Sequence, residues 1–412
     1  MKQYKSFVFG SFDFDPDSGR IALRYALDDE IHFEEIIEIP AEGGLKLNAM
    51  HQALLALHVA AGTSYFKTCC PKTMEIRSGV LNNDQAAFWN TVYENGLGEF
   101  FFRNQIDFRG LIRFPATDPG TPVFHQSDRS PSKRILVPVG GGKDSIVTIE
   151  KLKAQKKDIT LLRIGSHPLI DELVRITGLP CITVKRRLPA ELFALNEQGA
   201  LNGHVPITGL LSCLAVVIAE AAGFDTVVMS NEKSANEGNV EYLGKTINHQ
   251  WSKSAEFADA FNRYIQTYVN KNLRYENALG DMTELEVVRE FVKYPQYFQS
   301  FTSCNANWKI TRGQEKRDMR LETNRWCGKC PKCAFVFALL AAYLPKAEVL
   351  KIFGRNLFDD TSLLPLYRQL LGIEGFKPFE CVGTPEETKQ ACAMTKTRGE
   401  FAQAAILKVL KY

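Results

Sequence analysis

The sequence lacks any apolar run long enough to cross a bilayer. Its longest apolar segments, near residues 209–223 and 334–344, fall short of the roughly 20 residues that a membrane helix needs. No N-terminal apolar stretch precedes a cleavage-like site. The expectation is therefore a cytoplasmic protein without membrane insertion. Net charge is also scarce: 50 Lys and Arg against 47 Asp and Glu leave +3 over 412 residues. That is too little to argue for a nucleic-acid or anionic-membrane surface. A Walker A loop is absent as well. Lys143 is followed by Asp144, and Val137 stands where that motif needs its first glycine. What remains is 45% hydrophobic and 24% charged, an ordinary globular composition with room for two or three domains. It sets no oligomeric state.

The most informative stretch runs from Arg134 to Ser145. An apolar strand-like run ends in Gly140, Gly141 and Gly142, then Lys143-Asp144-Ser145, then helical spacing from Ile146 to Leu152. Glycines let backbone N–H groups close around an anion, and the free N–H groups of the next helix face the same charge. Further strands are expected at Thr160–Ile164, Cys181–Val184 and Thr226–Met229, alternating with helices at Leu169–Thr177 and Gly209–Ala222. This rhythm predicts a parallel sheet covered on both faces, whose ligands gather at the C-terminal strand ends. Gly165 and Ser166 follow one such end, as a ligand contact or a plain turn. Arg186 and Arg187 follow another, as an anion contact or a solvated pair. The polar segment Ser230–Asn239 offers Asn231, Glu232, Lys233, Asn236 and Glu237, carboxylates for magnesium or an amine and a lysine to offset phosphate charge; a hydrophilic surface loop is the other reading.

Before the glycine loop, Phe7–Phe14, Ile21–Tyr25 and Ile31–Ile39 predict an antiparallel meander, with helices over Leu45–Ala61 and Gln85–Glu94. Pro115–Lys133, which contains His125, has the composition of a boundary. The expected domains are an N-terminal α+β unit on the substrate side (1–130), a ligand-binding unit (131–300) and a cysteine-bearing helical region (301–412). In the last, Cys304 is followed by Cys327, Cys330 and Cys333, a four-thiolate set suited to zinc, with an iron–sulfur cluster, or a redox or metal-free set, as alternatives. Helices are expected at Ala334–Tyr343, Leu339–Leu350 and Leu363–Leu371. His249 precedes a helix start at Ser254 and Glu256; Thr384, Pro385 and Glu387 form another. Glu380 and Cys381, just before it, have no such local explanation.

The loop Gly140–Ser145 resembles the Ser-Gly-Gly-x-Asp-Ser loop of the PP-loop ATP pyrophosphatases, with Gly140 in place of serine. The cysteines resemble the zinc-bearing tail of deazaguanine nitrile synthases in that class, whose first gap is shorter. An ordered set of motifs is more specific: Phe12-Asp13-Phe14-Asp15, Leu23-Arg24-Tyr25, Gly140–Ser145, Asn231–Ala235, Cys327–Cys333 and Lys377–Gly383. Over nearly the whole chain these resemble the MurL family of ATP-dependent UDP-N-acetylmuramoyl-L-alanyl-L-glutamate epimerases. The resemblance implies an α/β fold with a parallel-sheet PP-loop domain (adenine nucleotide alpha hydrolase-like). It implies inversion of the terminal L-Glu of a UDP-linked muramoyl dipeptide through an acyl-adenylate, in peptidoglycan precursor synthesis, with ATP and Mg2+ and with Zn2+ in a structural place. On this reading Gly140, Gly141, Gly142 and Ser145 meet pyrophosphate, and Gly165 and Ser166 meet adenosine. Lys143 and Lys233 offset charge, and Asp144 supports magnesium or the loop. Asn231, Glu232, Asn236, Glu237, Arg187 and Glu380 serve substrate or magnesium, and Cys381 moves a proton. A tRNA-modifying or deazaguanine nitrile-forming PP-loop enzyme and a non-enzymatic nucleotide-binding scaffold are the competing readings; the low net charge speaks against the RNA enzyme.

Overall fold

The computed structural model describes residues 3–40, 50–117, 132–308 and 325–410. His125 and the beginning of the helix expected from Leu45 lie outside them. The chain opens as the expected meander: β1 (Ser6–Asp15), β2 (Arg20–Leu27) and β3 (Ile31–Glu38) pair antiparallel in order. Then come α1 (His51–Phe66), β4 (Thr73–Ile76), which joins β1 in parallel, α2 (Asn83–Gly96) and α3 (Gly98–Arg103). Asn82 and Gln85 start α2 with a reciprocal capping box.

The β-α rhythm follows: β5 (Arg134–Pro138), α4 (Lys143–Ala154), β6 (Asp158–Ile164), α5 (Pro168–Thr177), β7 (Cys181–Arg187), α6 (Ala190–Glu197), α7 (Ile207–Ala222) and β8 (Thr226–Met229). A small hairpin of β9 (Val240–Tyr242) and β10 (Lys245–Ile247) precedes α8 (Ala255–Tyr264), β11 (Arg274–Asn277) and α9 (Glu284–Phe291). Strands β11, β8, β5, β6 and β7 are parallel in that order. Their side chains alternate between two cores. Leu136, Leu162, Val184 and Val227 join α1, α7 and α8, whereas Ile135, Val137, Leu161 and Val228 join α4, α5 and α9, as a sheet buried on both faces requires.

The parallel sheet is not closed at β7. Its edge pairs antiparallel with β3, Ile37 opposite Arg186, so one mixed sheet of nine strands runs β11-β8-β5-β6-β7-β3-β2-β1-β4. The expected meander and the expected parallel sheet are therefore continuous, a join the sequence reading did not foresee, and the reason is that an unpaired edge strand needs a cover. Arg186 Nε lies 2.5 Å from Glu35 Oε1, and the Tyr65 hydroxyl donates to Glu35 Oε2 at 2.5 Å. The Glu35 side chain is fully buried and that of Arg186 is 9% exposed.

The C-terminal helices are α10 (Pro331–Ala341), α11 (Lys346–Phe353), α12 (Leu364–Leu370), α13 (Pro385–Arg398) and α14 (Ala405–Val409). The single helix expected over Leu339–Leu350 is two, because Pro345 stands at the N-cap of α11 and cannot continue α10. Among the described residues no helix is long and apolar enough to cross a membrane.

Arg186→Ala leaves the Glu35 carboxylate buried with its cation gone, and is expected to cost about 3 kcal/mol or more in urea unfolding. Arg187→Ala, whose side chain is 72% exposed on the same strand, is the comparison and should cost less than about 1 kcal/mol. Equal midpoints for the two variants would contradict a structural role for the buried pair.

Candidate active site

After β7 the chain crosses back to place β8 on the opposite side of β5 from β6. That reversal opens a crevice at the C-terminal strand ends. The glycine turn lies there. Gly141 has φ +84°, and Gly142 is the N-cap of α4; the first needs glycine to avoid strain. Thr302 N donates to Gly141 O at 2.9 Å, and Ser145 Oγ donates to Gly142 O at 3.0 Å. The loop is thus held from both sides. Among the described residues, and apart from its chain neighbours, no atom lies within 4 Å of where a Cβ on Gly140 would be.

Lys143, at the start of α4, is buried. Its Nζ lies 2.5 Å from Asp144 Oδ1 and 2.5 Å from Glu284 Oε2 at the start of α9. Burial opposes its charge, but Asp144, Glu284 and Glu232 outweigh that and hold it as the ammonium. Burial pushes the Glu284 carboxyl up to about 8 against the pull of Lys143, with Glu232 and Asp144 adding to the rise. Glu232 is raised first by burial, then by Asp144. Three carboxylates around one lysine, in the path of the glycine loop, make a site that can exchange protons for cations.

The other residues after β8 divide. Asn231 is buried and exchanges 2.8 Å hydrogen bonds with the Asn277 side chain across β8 and β11. Lys233, Asn236 and Glu237 are exposed, and Asn236 Oδ1 accepts from Ala255 N at 2.8 Å. The lysine directed at the carboxylates is Lys253, whose charge, opposed by burial, is held by Cys381, Glu232 and Asp144. Gly165, with φ +69°, and Ser166 end β6 beside the glycine loop, and Ser166 Oγ donates to Asp171 Oδ2 at 3.2 Å. Arg187 pairs with Glu38 at 3.1 Å on the β3 side.

A second group of side chains meets at residues 377–383. Asn239 Nδ2 donates to Lys377 O (3.2 Å) and Pro378 O (2.8 Å), its Oδ1 accepts from His249 N (2.8 Å), and Gln250 Nε2 donates to Val382 O (3.3 Å). Helix α3 closes the other side, the Phe102 ring packing at a tilt with its centre 5.5 Å from that of Phe379. Its Glu99 Oε2 lies 2.5 Å from His249 Nδ1, and the same imidazole and the Cys381 thiol stand near enough to shift each other's charge. Burial alone would raise that thiol, yet Lys253, Lys332 and His249 bring it well below the usual range. Against burial, Cys381 and Glu99 lift His249 to about 9, whereas burial and then His249 push His204 down to about 3. Among the described residues Lys377 Nζ is buried without a hydrogen-bond partner. Glu380 accepts from Asn305 Nδ2, next to Cys304.

The sulfurs of Cys304, Cys327, Cys330 and Cys333 lie within 4.8 Å of one another, with separations of 4.0, 3.7 and 3.5 Å for 304–330, 327–333 and 330–333. Four thiolates at 2.3 Å from one zinc sit about 3.8 Å apart, so the set fits that ion. Glu99, His204 and His249 also converge within 4.8 Å, a set able to hold a metal only if the Glu99–His249 hydrogen bond is given up.

Glu99, His204, Lys253 and Glu284 escaped the sequence reading. Glu99 and His249 are 150 residues apart, and no spacing rule joins them. The available signal was slight: one acid in the aromatic run Gly98-Glu99-Phe100-Phe101-Phe102, and Lys253 within the polar segment of His249.

A glycine loop at a sheet reversal, a buried lysine among carboxylates and a cysteine–histidine pair facing them define an α/β enzyme. The chain belongs to the MurL family: the MurL N-terminal domain matches residues 1–277 and the MurL C-terminal domain residues 300–412. It is 40% identical to the UDP-N-acetyl-alpha-D-muramoyl-L-alanyl-L-glutamate epimerase of Xanthomonas oryzae pv. oryzae, over 98% of this chain and 89% of that protein. To the epimerase of the same name from Salinispora tropica it is 35% identical, over 100% of this chain and 89% of that one. A 7-cyano-7-deazaguanine synthase of Sulfolobus acidocaldarius is 24% identical over 59% of this chain and 56% of its own length.

Elemental analysis should find about one zinc per chain at the cysteine set. Cys330→Ser should lower the folded yield and the metal content together. A native chain without metal, with four alkylatable thiols at these positions, would refute the assignment.

Proposed function

We infer that this chain inverts the terminal L-glutamate of UDP-N-acetylmuramoyl-L-alanyl-L-glutamate to D-glutamate, an isomerase step in peptidoglycan precursor synthesis. The observation that carries this is 40% identity to a curated epimerase over 98% of the chain. The reaction explains why ATP is used. Taking the Cα proton beside a carboxylate would put a second negative charge on an anionic group. Attack of that carboxylate on the α-phosphorus of ATP, with loss of pyrophosphate, gives an acyl-adenylate whose acyl group no longer bears the carboxylate charge, so its Cα–H is more acidic. A base then leaves an enolate, an acid delivers a proton to the opposite face, and hydrolysis returns the carboxylate and AMP.

The strand order β11-β8-β5-β6-β7, with the glycine loop after its central strand, supports a PP-loop ATP pyrophosphatase fold. In this reading Gly140–Gly142 and the start of α4 receive the departing pyrophosphate. Lys143 offsets its charge, and we assign the second lysine of the site to Lys253, since Lys233 is exposed. Asp144, Glu232 and Glu284 are hard oxygen donors suited to Mg2+, which would neutralise phosphate charge when bound. Gly165 and Ser166 are assigned to adenosine, and Lys377, whose Nζ has no hydrogen-bond partner among the described residues, to an anionic group of the substrate. Cys381 is assigned to proton transfer at Cα. The four-cysteine set takes structural zinc, and such reduced thiolates suit the cytoplasm. A deazaguanine-type reaction is tested beside this one because of the 24% match.

The decisive assay follows AMP release with the UDP-muramoyl dipeptide, the deazaguanine acid and tRNA in parallel, with chiral analysis of glutamate. Only the dipeptide should stimulate release, and D-Glu should accumulate. Asp144→Ala should slow AMP formation by about 100-fold, Ser145→Ala by less, and Lys253→Met by more than Lys233→Met. Unchanged adenylation in Asp144→Ala would move the active site elsewhere. Cys381→Ala should lose D-Glu formation and Cα deuterium exchange far more than AMP release; inversion at the normal rate would make the cysteine structural.

A further inference from the structure

We propose that Glu99 and His249 are positioning residues that hold the Cys381 sulfur as a thiolate for proton transfer at the substrate Cα. The N-terminal helix α3 then serves inversion and not ATP activation. This rests on the epimerase reading above.

The argument starts from three segments that sequence keeps apart. His249 presents Nδ1 to Glu99 Oε2 at 2.5 Å, and the other oxygen of that carboxylate, Oε1, is held by Arg103 Nε at 2.6 Å. Glu99 is thus fixed from both sides, and its side chain is only 7% exposed. A doubly protonated imidazole donates from both nitrogens, so a ring tied through Nδ1 directs its other N–H elsewhere. The loop of Cys381 is brought to that ring by the Asn239 and Gln250 side chains, which clamp Lys377 O, Pro378 O and Val382 O to the backbone around His249. Arg103, 4.9 Å from the centre of the Phe379 ring, closes the outside.

The surrounding charges agree with this geometry. Lys253, Lys332 and His249 face Cys381 and favour the anion, with Glu380 next to it in sequence. His204 lies ring to ring with His249, centroids 4.4 Å apart, and burial keeps it neutral. Its Nδ1 lies 3.6 Å from the same Glu99 Oε2, so that oxygen faces both rings. The proton balance is simple. The Cα–H bond breaks, its electron pair moves to the acyl carbonyl as the enolate forms, and the proton bonds to sulfur. An acid on the opposite face then supplies the new Cα proton, the enolate pair closing the new C–H bond; His249 stays protonated, and the thiol yields its proton to water once product has left.

The test reads the thiolate and the chemistry separately. The full-length protein is alkylated with iodoacetamide near pH 6.5, about two units below an ordinary thiol, and the Cys381 peptide is quantified by mass spectrometry. The rate should fall roughly tenfold or more in His249→Gln and by a smaller factor in the isosteric Glu99→Gln. In both variants Cα deuterium exchange per AMP released should drop severalfold with the dipeptide substrate, and Glu99→Asp should recover part of the loss. Wild-type alkylation rates in both variants, with unchanged thermal melting, would overturn the proposal. So would a second zinc per chain that disappears in His204→Ala, since the trio would then be a metal site. If the alkylation rates fall as expected while the wild-type enzyme releases AMP without any Cα exchange, the epimerase reading and the proton-transfer role both fail, and only the ion pair stands.

Discussion

The seam between β3 and β7 is the constraint on which the site depends. Two sheets of different character, an antiparallel meander and a parallel doubly wound layer, share it, and Glu35, Arg186 and Tyr65 seal it out of contact with water. A buried ion pair adds little net stability over an apolar contact of the same shape, but its loss on one side is costly. It therefore acts as a register lock: β3 cannot slip along β7 without burying a charge alone. With that register set, α2 and α3 are carried to the crevice end of the parallel sheet. There, a Cβ on Gly98 would come within 3.2 Å of Ile247 Cδ1, so α3 approaches β10 at backbone distance.

Close approach of this kind lets residues from the first hundred positions reach a site built by the last three hundred. Glu99 meets His249, and the aromatic rings of Phe102 and Phe379 exclude water around them. Low local polarity strengthens each charge contact in turn. The same logic governs the crevice floor, where Lys143 has more carboxylates than it can neutralise. Such an arrangement has a raised affinity for protons or cations.

The cysteine set is linked to this chemistry by short paths. Asn305, next to Cys304, bonds to Glu380, and Lys332, next to Cys333, contributes to the field at Cys381. Gly383 then brings the chain against α9 and α13: a Cβ there would lie 2.4 Å from Glu387 Oε2 and 3.0 Å from Glu284 Cγ. A metal held by the four cysteines would stiffen the loop that carries Cys381, and Glu387, bonded to both Glu284 N and Thr384 N, ties that loop to the lysine–carboxylate group.

The sequence by itself determined what is local. Alternation and turn residues marked β1 to β3, the glycine triplet marked the entry to α4, Thr384 with Glu387 marked the start of α13, and cysteine spacing marked a four-sulfur set. Each of these is decided by neighbours a few residues away, through backbone conformation or a short hydrogen bond, so pattern suffices. The residue motifs also carried the family, because their order along the chain is itself local information. Only the tertiary structure decided which polar residues face the crevice. Lys233 and Lys253 look equally suited on paper, and packing turned the first to solvent and the second toward Glu232 and Cys381. Glu99 and Glu284 read as ordinary helix acids until the fold buries them, one against an imidazole and one against an ammonium. Burial removes the water that would otherwise screen these charges, and it is set by contacts between segments more than a hundred residues apart, which no window along the chain contains.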